Sequence, residues 1–164
     1  MKVFKIPIEE YKDDMNMEAM SEKKKEILDL FTNYNNLGSK EEFDEIESNL
    51  HKACSKFDTE LIKIYLSKTI KNDSKTLTFK IDQTNQTASL FKVKNKITEV
   101  VIPRTVRHES TEYLITSISG ACIDIKTIKF VEDSAIETIY DNAFTGSNIE
   151  EIYFPSSLKE LKKE

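Results

Sequence analysis

Cysteine, glycine and proline are all scarce in this sequence. The two cysteines, Cys54 and Cys122, stand far apart. Two such residues make neither a disulfide framework nor a cysteine-based metal site. Gly38, Gly120 and Gly146 are the only glycines, each in a separate turn, so no glycine-rich loop is present to cradle a phosphate. No apolar run approaches the 18 residues of a membrane span. Residues 1–11 carry early acids and no apolar stretch of the secretory kind. The default expectations are a cytoplasmic location and no membrane insertion. A basic field is missing too. The formal net charge is −5, with residues 1–75 contributing −3 and residues 76–164 contributing −2. Nucleic-acid binders normally concentrate positive charge, so no nucleic-acid partner is expected.

The chain does have folding material. Of its 164 residues 38% are hydrophobic, including nine Phe and six Tyr. That suits one ordinary domain or two small ones, and neither half can build a large core alone. Residues 1–13, with Pro7, read as an extended lead-in. Met17, Met20, Lys24, Ile27, Leu28, Phe31 and Tyr34 then recur at helical steps, which predicts a helix over 15–34. Ser39 with Glu42 three residues on is a capping-box pattern that opens a second helix over 40–56. Phe43, Ile46, Leu50, Ala53 and Phe57 line its apolar face. Asp58 or Thr59 can cap a third helix, with Leu61, Ile62, Tyr65 and Leu66 on one face and Ile70 near its end. Residues 1–72 are therefore expected to form a helical module.

The spacing changes after residue 75. Thr76-Leu77-Thr78-Phe79-Lys80-Ile81 alternates as a strand, and residues 76–93 read as a hairpin. A repeat follows. Ile97-Thr98-Glu99-Val100-Val101-Ile102-Pro103 is echoed by Ile125-Lys126-Thr127-Ile128-Lys129-Phe130, 28 residues later. Ile149-Glu150-Glu151-Ile152-Tyr153-Phe154-Pro155 follows after a further 24. A second stroke interleaves, Ile115-Thr116-Ser117-Ile118 and then Ile136-Glu137-Thr138-Ile139, the latter leading to Asn142-Ala143-Phe144. A period in the twenties predicts stacked units sharing one core. An ordinary small β-sandwich is the alternative.

These residues resemble the BspA-like leucine-rich-repeat family, well over 97–158 and loosely over 15–96. The segment Tyr65-Leu66-Ser67-Lys68-Thr69 is similar to the end of the helical N-terminal regions of its protist members. The sequence departs from the family pattern where Cys122 replaces an expected Phe after Ala121. The spacing from Ile118 to Ile125 is 7, against 10 from Ile139 to Ile149. Residues 107–113 enlarge the first turn. The resemblance implies adhesion or protein binding and offers no catalytic residues.

The expected fold class is thus α+β, a short N-terminal helical module followed over 76–164 by a small leucine-rich-repeat β-solenoid. Its expected core is Ile97, Val100, Ile102, Ile115, Ile118, Ile125, Ile128, Phe130, Ile136, Ile139, Phe144, Ile149, Ile152 and Phe154. Outward positions of the strokes form the candidate protein-binding face: Thr98, Glu99, Lys126, Lys129, Glu150, Glu151 and Tyr153, with Val101 and Thr127 beside them. Tyr113, Tyr140 and Tyr153 are candidate exposed aromatic anchors.

Catalytic signals are weak. Glu47, His51 and Cys54 share a helix face at zinc-like spacing, but no fourth ligand is near. His108 with Glu109 and Ser110 lacks the shaped site a nucleophilic triad needs. Asp13-Asp14 and Glu41-Glu42 lack the alternation of a calcium loop. Asn72-Asp73-Ser74 and Asn85-Gln86-Thr87 match the glycosylation pattern by chance in an Asn-rich region. No cofactor is expected. The expected function is non-enzymatic protein binding or scaffolding. A truncated or degenerate repeat fragment is the alternative, and an enzyme is a distant third. The last repeat is open, with only Leu158 and Leu161 in the charged stretch after it, so end-to-end self-association is also expected.

Overall fold

A computed structural model describes residues 22, 25–27, 29, 40–120, 124–141 and 143–162. The chain divides into two units, residues 1–67 and 68–164.

In the first unit, residues 22, 25–27 and 29 are helical and Ile27 is fully buried. The rest of the predicted first helix, Ser39, and the side chains of Glu42, Phe43 and Ile46 lie outside the described residues. The second predicted helix is α1, Lys40–Ser55. Leu50, Ala53 and Cys54 bury its apolar stripe, while His51 and Lys52 are exposed. It stops without glycine. Phe57 takes a left-handed φ of 55°. The Asp58 amide then reaches the Ala53 carbonyl at 3.0 Å and the Phe57 amide reaches that of Cys54 at 3.1 Å. This is the reversed-turn cap usually built on glycine. Asp58 then caps α2, Thr59–Leu66, its Oδ1 accepting from the Leu61 amide at 3.2 Å. The buried stripe Leu61, Ile62, Tyr65 and Leu66 follows the 3.6-residue period, and α1 packs on α2.

The second unit is built on strands. β1 is Lys68–Lys71, so Ile70 lies in a strand and not at a helix end. Asn72 makes the turn to β2, Leu77–Asp82. Its Oδ1 accepts from the Thr76 and Leu77 amides at 2.9 and 3.0 Å. Asp82 makes the next turn, accepting from the Thr84 and Asn85 amides, and leads to β3, Thr87–Val93. Both pairings are antiparallel, and the hairpin over 76–93 is present. β4, Glu99–Ile102, follows. β5, Thr105–His108, then folds back antiparallel on β6, Thr111–Ile118. β7 is Thr127–Phe130, β8 Thr138–Ile139, β9 Glu151–Ile152 and β10 Glu160–Leu161.

These strands form two sheets. The larger has seven strands in the order β1-β2-β3-β6-β8-β10, with β5 also on β6. It is antiparallel from β1 to β3 and parallel from β3 to β10. The smaller sheet is β4-β7-β9, parallel throughout.

The expected β-solenoid is therefore corrected. The second unit is a mixed sheet beside a short parallel one, and they make no closed solenoid. The physical reason lies in the turns. Asn72, Asp82 and the 109–110 turn each supply tight hairpin chemistry. That chemistry imposes antiparallel pairing on half of the strands, which a period of 24 to 28 residues does not override.

One core serves both sheets. Ile102, Ile115, Ile118, Ile125, Ile128, Ile136 and Ile139 are fully buried in it, and Val100 is buried too. Ile97, Phe130, Phe144 and Ile149 are only partly buried against it. Two expected core residues fall short. Ile152 is half-buried on the edge strand β9, and Phe154 is exposed just beyond it. Among the described residues no strand lies outside β9 to cover them. Cys122 and Asn142 lie outside the described residues.

Candidate functional site

The smaller sheet places the candidate residues together. Register aligns Glu99, Thr127 and Glu151 in one rung and Val100, Ile128 and Ile152 in the next. Successive side chains in a strand alternate faces. Val100 and Ile128 turn into the core, so Glu99, Val101, Thr127, Lys129, Glu151 and Tyr153 point outward. Thr98, Lys126 and Glu150 enter the three strands at matching positions. The Thr98 carbonyl accepts from the Lys126 and Thr127 amides, and the Lys126 carbonyl accepts from those of Glu150 and Glu151. All seven candidates for the binding face are exposed.

Neighbouring strands are tied by charge across this face. The Lys129 ammonium donates to Glu99 Oε1 at 3.0 Å, and Lys126 pairs with Glu150 at 3.7 Å. The Glu99 hydrogen bond and charge hold the Lys129 pKa above its ordinary value. Tyr153 Oη donates to Glu151 Oε2 at 3.2 Å. Exposed pairs of this kind add little stability. They orient the side chains and leave a nearly neutral, patterned surface. Two apolar groups flank it: Val101 on β4 is 52% exposed and Tyr153 beside β9 is 56% exposed. Of the three candidate tyrosines only Tyr153 is an exposed anchor, since Tyr113 and Tyr140 are buried. The face offers hydrogen bonds, charges and an aromatic ring in a plane, which is chemistry for recognition.

The other sequence candidates are scattered. His51 is exposed on α1 while Cys54 is buried, and burial pushes the Cys54 thiol up to about 12. Among the described residues no group of three His, Cys, Asp or Glu side chains comes together to hold a metal. His108 Nε2 makes no hydrogen bond and lies 3.8 Å from the Glu109 carboxylate. No helix among the described residues is long and apolar enough to cross a membrane.

A polar feature of the larger sheet escaped the sequence reading. Lys80, Ser89, Ser117, Thr138 and Glu160 share one rung. Strand alternation suggests a solvated row, yet Lys80 is 2% exposed and Ser89 and Ser117 are buried. Ser117 Oγ donates to Ser89 Oγ, and Ser89 Oγ donates to Ser119 Oγ, each at 2.7 Å. The Lys80 ammonium stands 5.3 Å from the Phe91 ring centroid. Gly120 lies against the Phe91 carbonyl so closely that a Cβ there would overlap it. No single strand's sequence shows that its polar side is covered.

No family model, curated protein or solved structure matches the chain, so the BspA-like resemblance gains nothing from these comparisons.

Proposed function

We propose that this chain is a non-catalytic protein-binding or scaffold module that docks its partner on the outward face of β4, β7 and β9. One observation carries the reading. Glu99, Thr127, Lys129 and Glu151, drawn from three separated segments, are brought by parallel register onto one surface with Val101 and Tyr153, and Thr98, Lys126 and Glu150 are exposed where the strands begin. The core needs only the inward residues of these strands. The outward pattern of paired Lys and Glu with an exposed aromatic ring is thus available for recognition. Aromatic anchors surrounded by polar groups are the usual centre of a protein interface. The resemblance to BspA-like proteins supports the same class of function.

The test starts with the intact chain as bait. A retained protein is purified and titrated against wild type, Lys129→Ala, Tyr153→Ala and the off-face control Lys71→Ala. The reading expects roughly tenfold or greater weakening for a face variant, with the control unchanged. Equal affinity for all four chains would remove the face from the interaction.

A further inference from the structure

The two sheets end together. The chain passes from one sheet to the other between β7 and β8 and again between β9 and β10, so β4-β7-β9 and β6-β8-β10 advance in the same direction along one core. β9 and β10 are the last strands at that end. The larger sheet continues through β3, β2 and β1 only at the opposite end. The inward rows run out at β9 and β10. Val100 and Ile128 are buried while Ile152, next in their row, is half-buried. Ile118 and Ile139 are fully buried while Leu161, next in theirs, is 48% exposed. Among the described residues no strand lies beyond either.

Each of these edges is complementary to itself. The Glu160 and Lys162 amides bond to the Glu137 and Ile139 carbonyls, so Leu161 aims its amide and carbonyl at the open edge of β10. A two-fold axis beside Leu161 lays the β10 of a second copy antiparallel on this edge. The two Leu161 residues then exchange both backbone hydrogen bonds, as in the bonded pair of an antiparallel ladder. Glu160 comes opposite Lys162 of the other copy, twice by symmetry, on the outer side of the sheet. Opposite charges in directly opposed positions stabilise such pairs. The Lys162 ammonium stands 4.8 Å from the Tyr140 ring centroid, and Lys159 is already paired with Glu137 of its own copy at 2.8 Å. The same axis crosses the core and sets the two β9 edges antiparallel. There the Glu151 and Tyr153 amides bond to the Lys126 and Ile128 carbonyls, which leaves the backbone groups of Ile152 facing the open edge. About Ile152, Glu151 comes opposite Tyr153, so no like charges meet. Strand alternation is kept across both contacts, and Ile152 and Leu161 of the two copies turn into one joined core.

We propose that the chain forms a two-fold dimer end to end, β10 pairing with β10 and β9 with β9 of a second copy. The occupant of the open end is thus this chain itself. The contact is isologous, so it closes at two copies. The strands β1 to β3 stay at the far ends and take no part in it. The dimer uses strand edges and stands apart from partner docking on the outward face of β4, β7 and β9.

Sedimentation of the full chain tests it, with variants that leave that face untouched. Wild type is expected to move with concentration from its 19.0 kDa monomer mass to twice that value and to stop there. Glu160→Lys alone and Lys162→Glu alone each set like charges opposite one another twice, and each should weaken the dimer roughly tenfold or more. Their equimolar mixture should dimerise again, because every altered charge then meets its opposite on the other chain. The double exchange, Glu160→Lys with Lys162→Glu in one chain, should recover the dimer for the same reason. Recovery in either form shows that the single variants are folded. Lys71→Ala, on the far edge strand β1, should dimerise as wild type does. Wild type that stays monomeric, or that grows past two copies, overturns the proposal. So does either single reversal dimerising as tightly as wild type, or a mixture and a double exchange that both stay monomeric.

Discussion

Ile128 is the residue on which the shared core should depend most. It lies in the middle strand of the smaller sheet, between Val100 and Ile152, and is fully buried. Ile128→Ala deletes three carbons, worth roughly 2.4 kcal/mol at about 0.8 kcal/mol each. The backbone is hydrogen-bonded on both sides, so the site cannot collapse easily and a cavity term adds to the loss. The expected cost is about 3–4.5 kcal/mol. Val100→Ala deletes two carbons on an edge strand and should cost about 1.5–2.5 kcal/mol. Ile152 is only half-buried, so Ile152→Ala should cost roughly 1–1.5 kcal/mol. The chain has two units, and a single unfolding curve would mix them. Native-state hydrogen exchange at β6 and β7 amides reports the second unit alone. The order Ile128, Val100, Ile152 is the diagnostic. A loss below about 0.5 kcal/mol for Ile128→Ala, or equal losses at all three sites, would refute the shared-core argument.

Three further outcomes are expected. Ser89→Ala, at the centre of the buried hydroxyl chain, should cost about 1–3 kcal/mol by leaving Ser117 without its acceptor. Replacing Ser89, Ser117 and Ser119 together should cost less than the sum of the three single changes, and additivity in denaturant titrations would contradict the network. Asp58→Ala should weaken the start of α2 by about 1 kcal/mol, read from exchange of the Leu61 amide. Cys54, with its folded pKa raised to about 12, should resist alkylation at pH 8 until the first unit unfolds. An unfolded thiol ionises near pH 8.5, so Cys54 favours the folded state fully below that pH. The contribution shrinks as pH rises toward 12, and Cys54→Ala should flatten that slope; an identical slope would rule Cys54 out as its source.

What could be read in the sequence followed local chemistry. The α1 stripe, the Asp58 cap and the hairpin over 76–93 each rest on residues within a few positions of one another. The strokes beginning at Ile97, Ile125 and Ile149 were legible because parallel register places like residue on like residue. That register also sets Glu99, Lys129 and Glu151, three of the face candidates, on one side of the sheet. Other features depend on partners distant in sequence. The hairpin of β5 and β6 looked only like an enlarged turn, and the antiparallel strands at one edge displaced the expected solenoid. Helix α1 ends on a left-handed Phe57, where the usual glycine signal is absent. Lys80 alternates as a surface residue should, yet it is buried. Its cover is a tertiary fact that strand alternation does not contain.

The exposure of Phe154 has its own cause, and it yields the last prediction. The three strokes end at Pro103, Val131 and Pro155. Val131 can donate, and its amide bonds the Ile102 carbonyl at 3.2 Å, carrying the pairing of β4 with β7 past Phe130. Pro155 occupies the matching place beside β7 and has no amide for the Phe130 carbonyl. The ladder between β7 and β9 therefore covers two residue pairs, against four between β4 and β7. Phe154, two residues past the short strand, is 49% exposed. Pro103 breaks nothing within the sheet, because its missing amide would face the open edge. If this is the cause, Pro155→Ala should let β9 lengthen. A new amide at 155 should exchange slowly, bonded to the Phe130 carbonyl, and Phe154 should lose exposure. The turn in which the Pro155 carbonyl accepts from the Leu158 amide loosens when the ring is removed, so net stability is a poor readout. Exchange at residue 155 is the direct one. A rate equal to that of the exposed 145–146 turn would show that the ladder stops for another reason.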